Sequence, residues 1–217
     1  MLDKDKILAM CEKFDEVNPD PKIELEYVNN FTLLIAILMS AQSTDKMVNR
    51  CTRELFKVCK TPEDALNLGY DQFMEYIRYI GMYRNKTKHV MALCRILLSD
   101  HDGEVPNKFE DLIKLPGVGN KTANVFLNSA FGVPTIGVDR HIFRIVHKIG
   151  IVNGKNTDEV AENLGKIIPE KYHLKIHHWL VLHGRYICKA RKQLCSQCPI
   201  SEYCESYQMN KKNIMNT

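Results

Sequence analysis

The sequence has no long hydrophobic run. Its most apolar stretch, Phe31 to Met39, is nine residues with Thr32 inside it, roughly half of what crosses a bilayer. No membrane span is therefore expected. The N-terminus, Met1-Leu2-Asp3-Lys4-Asp5-Lys6, is charged from the start and no apolar segment follows, so no signal peptide is expected and the cytoplasm is the anticipated location. Convincing apolar–polar alternation is also missing, which argues against strands. Aromatic residues are scarce, at 8% with one tryptophan, but 45% of residues are hydrophobic, as in a soluble globular protein. No low-complexity stretch or linker divides the 217 residues, a length that suits one large domain or two small ones.

Net charge is also small, at +4, but it is unevenly spread. Residues 1–30 hold eight acids and four lysines, whereas residues 184–217 hold six bases and two acids. A basic end suggests an anionic partner, although a solvated tail would look the same. Of the eight cysteines, Cys11, Cys51, Cys59 and Cys94 sit among apolar neighbours and read as small buried hydrophobes. Cys188, Cys195, Cys198 and Cys204 crowd together, and beside scattered free thiols such a group reads as metal-binding rather than disulfide-forming.

What is present is helical periodicity. Ile7, Met10, Cys11, Phe14 and Val17 share a face before Asn18-Pro19-Asp20-Pro21 breaks the pattern. Phe31 to Met39 is apolar all round, which suits a short central helix. Ser43-Thr44-Asp45 and Thr61-Pro62-Glu63-Asp64 have the form of helix starts. Asn107 and Glu110 are placed like a capping box, and Thr157-Asp158-Glu159 opens a later helix. The expected fold class is all-α, about ten helices on short loops.

Leu115-Pro116-Gly117-Val118-Gly119-Asn120-Lys121-Thr122-Ala123 carries the strongest local signal. Pro116 stops the incoming helix. Gly117 and Gly119 permit positive φ and close backbone approach. Asn120 is placed to cap the outgoing helix, which runs to Phe131 with Gly132 beyond it. Backbone N–H groups at such a helix start bind a phosphate. Lys121 lies in the first turn, where partial positive charge disfavours an ammonium and favours the neutral, nucleophilic amine. A phosphate-contacting lysine fits equally well. Asp139, in Gly137-Val138-Asp139-Arg140-His141-Ile142, is an N-cap by its position, or an acid serving Lys121. A fainter echo, Ile80-Gly81-Met82-Tyr83-Arg84-Asn85-Lys86-Thr87, lacks the proline and second glycine, so its backbone suits a phosphate less and Lys86 is at most a contact to a phosphate backbone.

The hairpin stretch, then Val-Asp-Arg-His with its acid 18 residues past the lysine, then Cys-x6-Cys-x2-Cys-x5-Cys, resembles endonuclease III, of the helix-hairpin-helix DNA glycosylases. The resemblance runs from Ser40-Ala41-Gln42-Ser43-Thr44-Asp45-Lys46 to the last cysteine. It implies two helical lobes flanking a DNA-binding cleft, residues 23–132 as a bundle with the hairpin, and 1–22 with 133–217 as an iron–sulfur lobe. It implies a bifunctional glycosylase/AP lyase that removes oxidised pyrimidines from damaged double-stranded DNA, acting as a monomer at the nucleoid. Lys121 and Asp139 would be catalytic, facing each other across the cleft. A flipped-out base leaves a gap, which Gln42 and Met82 would fill; Met82 departs from the family's leucine but stays apolar. Gly117, Val118, Gly119, Arg140, Lys189, Arg191 and Lys192 would contact DNA. Arg140 departs from the family's threonine. It is placed to reach a phosphate or to pair with Asp139.

For the four cysteines, zinc is the rival metal, but zinc ribbons show two Cys-x2-Cys knuckles and this chain has one. The resemblance implies a [4Fe–4S] cluster on Cys188, Cys195, Cys198 and Cys204. His173, His177, His178 and His183 show no HExxH pattern and read as helix-face and core histidines. Competing readings are a monofunctional adenine mismatch glycosylase, which lacks the hairpin lysine, a non-catalytic hairpin DNA-binding protein, and an iron–sulfur electron carrier.

Overall fold

In a computed structural model, residues 1–215 are described, with side chains through residue 211. The described residues are helical, with an isolated bridge between Cys188 and Gln193 and no strand. In chain order the helices are α1 (Lys4–Val17), α2 (Asn30–Ser40), α3 (Asp45–Val58), α4 (Pro62–Tyr76), α5 (Tyr83–Asp100) and α6 (Phe109–Leu112). They continue with α7 (Asn120–Phe131), α8 (Arg140–Ile149), α9 (Thr157–Ile167), α10 (His173–Tyr186) and α11 (Glu205–Met215). Among the described residues, no helix is long and apolar enough to cross a membrane.

The chain divides into two compact units, residues 23–133 and residues 1–22 with 134–217. The first is built around α2, whose residues Phe31 to Met39 are all buried. Each large aliphatic or aromatic side chain among them contributes roughly 1.5–3 kcal/mol by leaving water. The helices α3, α5 and α7 pack on α2, and α4 packs on α5. A capping box starts α2: Asn29 Oδ1 accepts the Thr32 N–H, and Thr32 Oγ1 accepts the Asn29 N–H, both at 2.9 Å. Thr61 and Asp64 form the same device at α4, with Pro62 behind the cap.

In the second unit α8 packs against α9, α10 and α11. Its core joins Ile7, Met10, Cys11 and Phe14 of α1 to Ile142, Ile145, Val146 and Ile149 of α8. The single tryptophan, Trp179, is 2% exposed, stacks on Phe14 at 5.7 Å, and donates its indole N–H to the Asn18 carbonyl at 2.8 Å. His177, His178 and His183 are buried in α10, as core histidines should be.

Three local expectations need correction. Val17 is exposed rather than on the buried face of α1, because the helix ends there. Asn107 and Glu110 form no capping box: Lys108 is the N-cap of α6, without a side-chain bond. Asn120 does not cap α7, since Gly119 takes that position and Asn120 is already helical.

Candidate active site and cysteine centre

The hairpin is anchored by its apolar residues. Leu115, Val118 and Ala123 are buried in the core of the first unit. The Val118 N–H closes the turn on the Leu115 carbonyl at 3.0 Å, so that donor is engaged within the turn. The two glycines differ. Gly117 has φ +82, and a Cβ there would meet His89 Nδ1 at 2.9 Å. Gly119 has φ −99 and open space around it, so positive φ is needed at Gly117 alone. The start of α7 has no side-chain cap and no acid in its first turn. That leaves an electropositive backbone end facing a surface that includes Gly119, Asn120 and Lys121, all exposed.

Asp139, in the second unit, is the N-cap of α8. One carboxylate oxygen, Oδ1, accepts the N–H groups of His141 and Ile142, each at 2.8 Å. The buried Ile136, Val138 and Ile142 fix the chain on both sides of it. Arg140 and His141 are exposed.

In the first unit, Gln42 and Met82 are exposed and have left-handed backbones, at φ 57 and φ 58. Each is a conformation that non-glycine residues adopt only under constraint. Lys86 is not the DNA contact expected from its sequence. It is 8% exposed, and its ammonium donates to the carbonyls of Met39, at 2.9 Å, and Ala41. Burial pulls it down to about 8. Sequence reasoning missed this because its partners are main-chain atoms far away in the chain. It also missed a bond of Ser43, read there only as part of a helix start: its Oγ accepts the Gly81 N–H at 3.1 Å.

Cys188, Cys195, Cys198 and Cys204 all line one cavity of about 50 Å³ in the second unit, with His183 and Ile200. Burial pushes the Cys198 thiol up to about 11, with the other three cysteines adding to the rise, and Cys204 moves the same way. Among the described residues, no three His, Cys, Asp or Glu side chains converge closely enough for a single metal ion. Arg144 donates to the Cys188 carbonyl at 2.7 Å and lies 3.9 Å from its Sγ. His183 Nε2 is 3.7 Å from Cys198 Sγ. Arg144 was not singled out from sequence, and His183 was read there as a core histidine without its cysteine contact, because the α8 and α10 patterns show only helix faces.

Lys189, Arg191 and Lys192 are exposed on the loop between the first two cysteines. The loop is closed by its own bonds. Gln193 Nε2 donates to the carbonyls of Lys189 and Ala190 at 2.7 and 3.1 Å. The Leu194 N–H donates to Ile187 at 3.0 Å.

Residues 35–170 match the HhH-GPD superfamily of base excision DNA repair proteins. Endonuclease III of Rickettsia felis is 53% identical over 196 residues, 90% of this chain and 92% of that one. The chain belongs to the endonuclease III family. It is a DNA glycosylase/AP lyase of base excision repair with the helix-hairpin-helix fold of that family. Endonuclease III of Escherichia coli strain K12 is 48% identical over 204 residues, 94% of this chain and 97% of that one. A solved structure of a trapped endonuclease III–DNA covalent intermediate superposes with a TM-score of 0.91 at 40% identity, covering 97% of this chain and 100% of the other.

Proposed function

We propose that the chain removes oxidised pyrimidines from duplex DNA with Lys121 as nucleophile. The observation that carries this is the placement of Lys121: exposed, in the first turn of α7, beside an uncapped backbone end that suits a phosphate. The trapped covalent intermediate of the structural relative supports a covalent route. The neutral amine attacks C1′ and the damaged base leaves with its bonding electrons. The nitrogen then gives up one proton, the C1′–O4′ bond breaks as the C=N bond forms, and O4′ takes up a proton, leaving a protonated Schiff base on the opened sugar. Removal of a C2′ proton drives β-elimination, which breaks the C3′–O bond. Asp139 is assigned the proton transfers and stabilisation of positive charge developing on the same sugar.

Gln42 and Met82 are assigned to the gap left by the flipped base, and their exposure with constrained backbones supports that. Gly117 and Gly119 give the phosphate its approach, while Val118 contributes by anchoring the turn. Arg140, Lys189, Arg191 and Lys192 are exposed and basic, as phosphate contacts need to be. The protein is proposed to act as a monomer on nucleoid DNA.

The four cysteines fit a [4Fe–4S] cluster. They line one cavity, and burial disfavours the thiolates of Cys198 and Cys204 unless cationic iron offsets it. Held by these four cysteines, a cluster would cross-link Cys188 and Cys195 at the two ends of the basic loop, a structural contribution rather than a step of the reaction. Cys198→Ser is expected to remove the visible absorption of the purified protein, and Cys11→Ser to keep it.

The deciding experiment is borohydride trapping on a thymine-glycol duplex. Wild type should form a covalent adduct and Lys121→Gln should not. Persistence of the adduct in that variant refutes the assignment.

A further inference from the structure

A buried lysine needs a reason. Lys86 gives up most of its hydration to sit on two main-chain carbonyls, and burial disfavours its charge. A core that needed only filling would be better served by an apolar side chain of similar length. One local gain is clear: α2 has no basic residue in its last turn, and Lys86 supplies the missing positive charge there from α5.

The position of the two carbonyls says more. The Ala41 carbonyl belongs to the peptide that leads into Gln42. The Lys86 backbone N–H donates to the Met82 carbonyl at 3.0 Å. Lys86 is thus tied by its ammonium to the peptide that leads into Gln42 and, through the first turn of its own helix, to Met82. A second tie joins the same segments: Ser43 Oγ accepts the Gly81 N–H. Their approach is tight, since a Cβ at Gly81 would lie 3.0 Å from the Gln42 carbonyl oxygen.

We infer that Lys86 is a positioning residue that, with Ser43 and Gly81, locks Gln42 and Met82 into one preformed wedge. The inference rests on the proposed gap-filling role of those two residues. A side chain that must enter a stacked duplex loses affinity if it first has to be ordered. The lock removes that cost beforehand, and the strained φ values are held by bonds made elsewhere. Lys86 therefore acts on insertion into a duplex and on nothing that an unpaired strand requires.

The test compares trapping rates on an abasic site in duplex and in single-stranded DNA. An unpaired strand has no gap to fill. Lys86→Met should lower the duplex-to-single-strand ratio about tenfold. Gly81→Ala, which leaves the ammonium in place and only pushes the segments apart, should lower it in the same direction; it keeps the test open if Lys86→Met folds poorly. In a Gln42→Ala/Met82→Ala background, Lys86→Met should change the ratio little, as expected for residues acting as one unit. Equal losses on both substrates, or a full further loss in that background, would overturn the inference. If Gln42→Ala/Met82→Ala itself leaves the ratio at the wild-type value, the gap-filling role fails and the lock falls with it.

Discussion

Gly117 and His89 are in contact so close that the glycine has no room for a Cβ, which would come within 2.9 Å of the imidazole Nδ1. The hairpin turn is thereby pressed onto α5, and its two glycines have different jobs. Gly117 meets a steric and a conformational demand, whereas Gly119 meets neither inside the protein.

Gly117→Ala should therefore destabilise the fold by about 1–3 kcal/mol, through positive φ and overpacking together. Gly119→Ala should leave thermal stability nearly unchanged and weaken duplex binding, because the added methyl projects where a phosphate would approach. Melting curves and binding titrations on the two variants check this. Equal melting temperatures for both would show that His89 yields freely.

Asp139 is committed to backbone donors of α8, so its structural and chemical roles can be separated. Asparagine caps helices as well as aspartate does. Asp139→Asn should keep stability within a few tenths of a kcal/mol and reduce adduct formation by about 100-fold or more. Asp139→Ala should lose activity and about 1 kcal/mol of stability besides. Full activity in Asp139→Asn would reduce the residue to a cap.

Lys86 makes stability depend on pH in the alkaline range. Its value falls from 10.5 to about 8 on folding. Between those values the unfolded chain holds the proton and the folded chain does not, so stability rises with pH. The burial penalty is fully present below about 8 and relieved as pH climbs towards 10.5, a gain of about 3 kcal/mol at most. Wild type should gain on Lys86→Met as pH rises across that window, with unfolding midpoints followed for both. A constant difference would mean the ammonium is solvated.

Much of this arrangement is legible in the sequence. Thr44, the Thr61-Pro62 pair and the apolar run from Leu33 to Met39 mark their helices because caps and burial are local or periodic properties. Asp139 was readable as a cap for the same reason. Asn120 misled because asparagine is a good cap, yet the turn placed Gly119 there. Lys86 misled more deeply. Its sequence context looks like a surface helix start, while its burial depends on carbonyls 45 and 47 residues away. Arg144, and the contact of the core histidine His183 with Cys198, were hidden likewise, since both depend on tertiary packing around the cysteines.

The packing of Trp179 provides an optical probe. All indole emission from this chain comes from one ring in the unit that holds the cysteines, stacked on Phe14, which meets His183 edge-on. Fluorescence thus reports on the packing of that unit. A broad visible absorber bound at the cysteines would drain the excited state. Brightening without a red shift would mark loss of the cofactor from a chain still folded, and a later red shift would mark the ring reaching water.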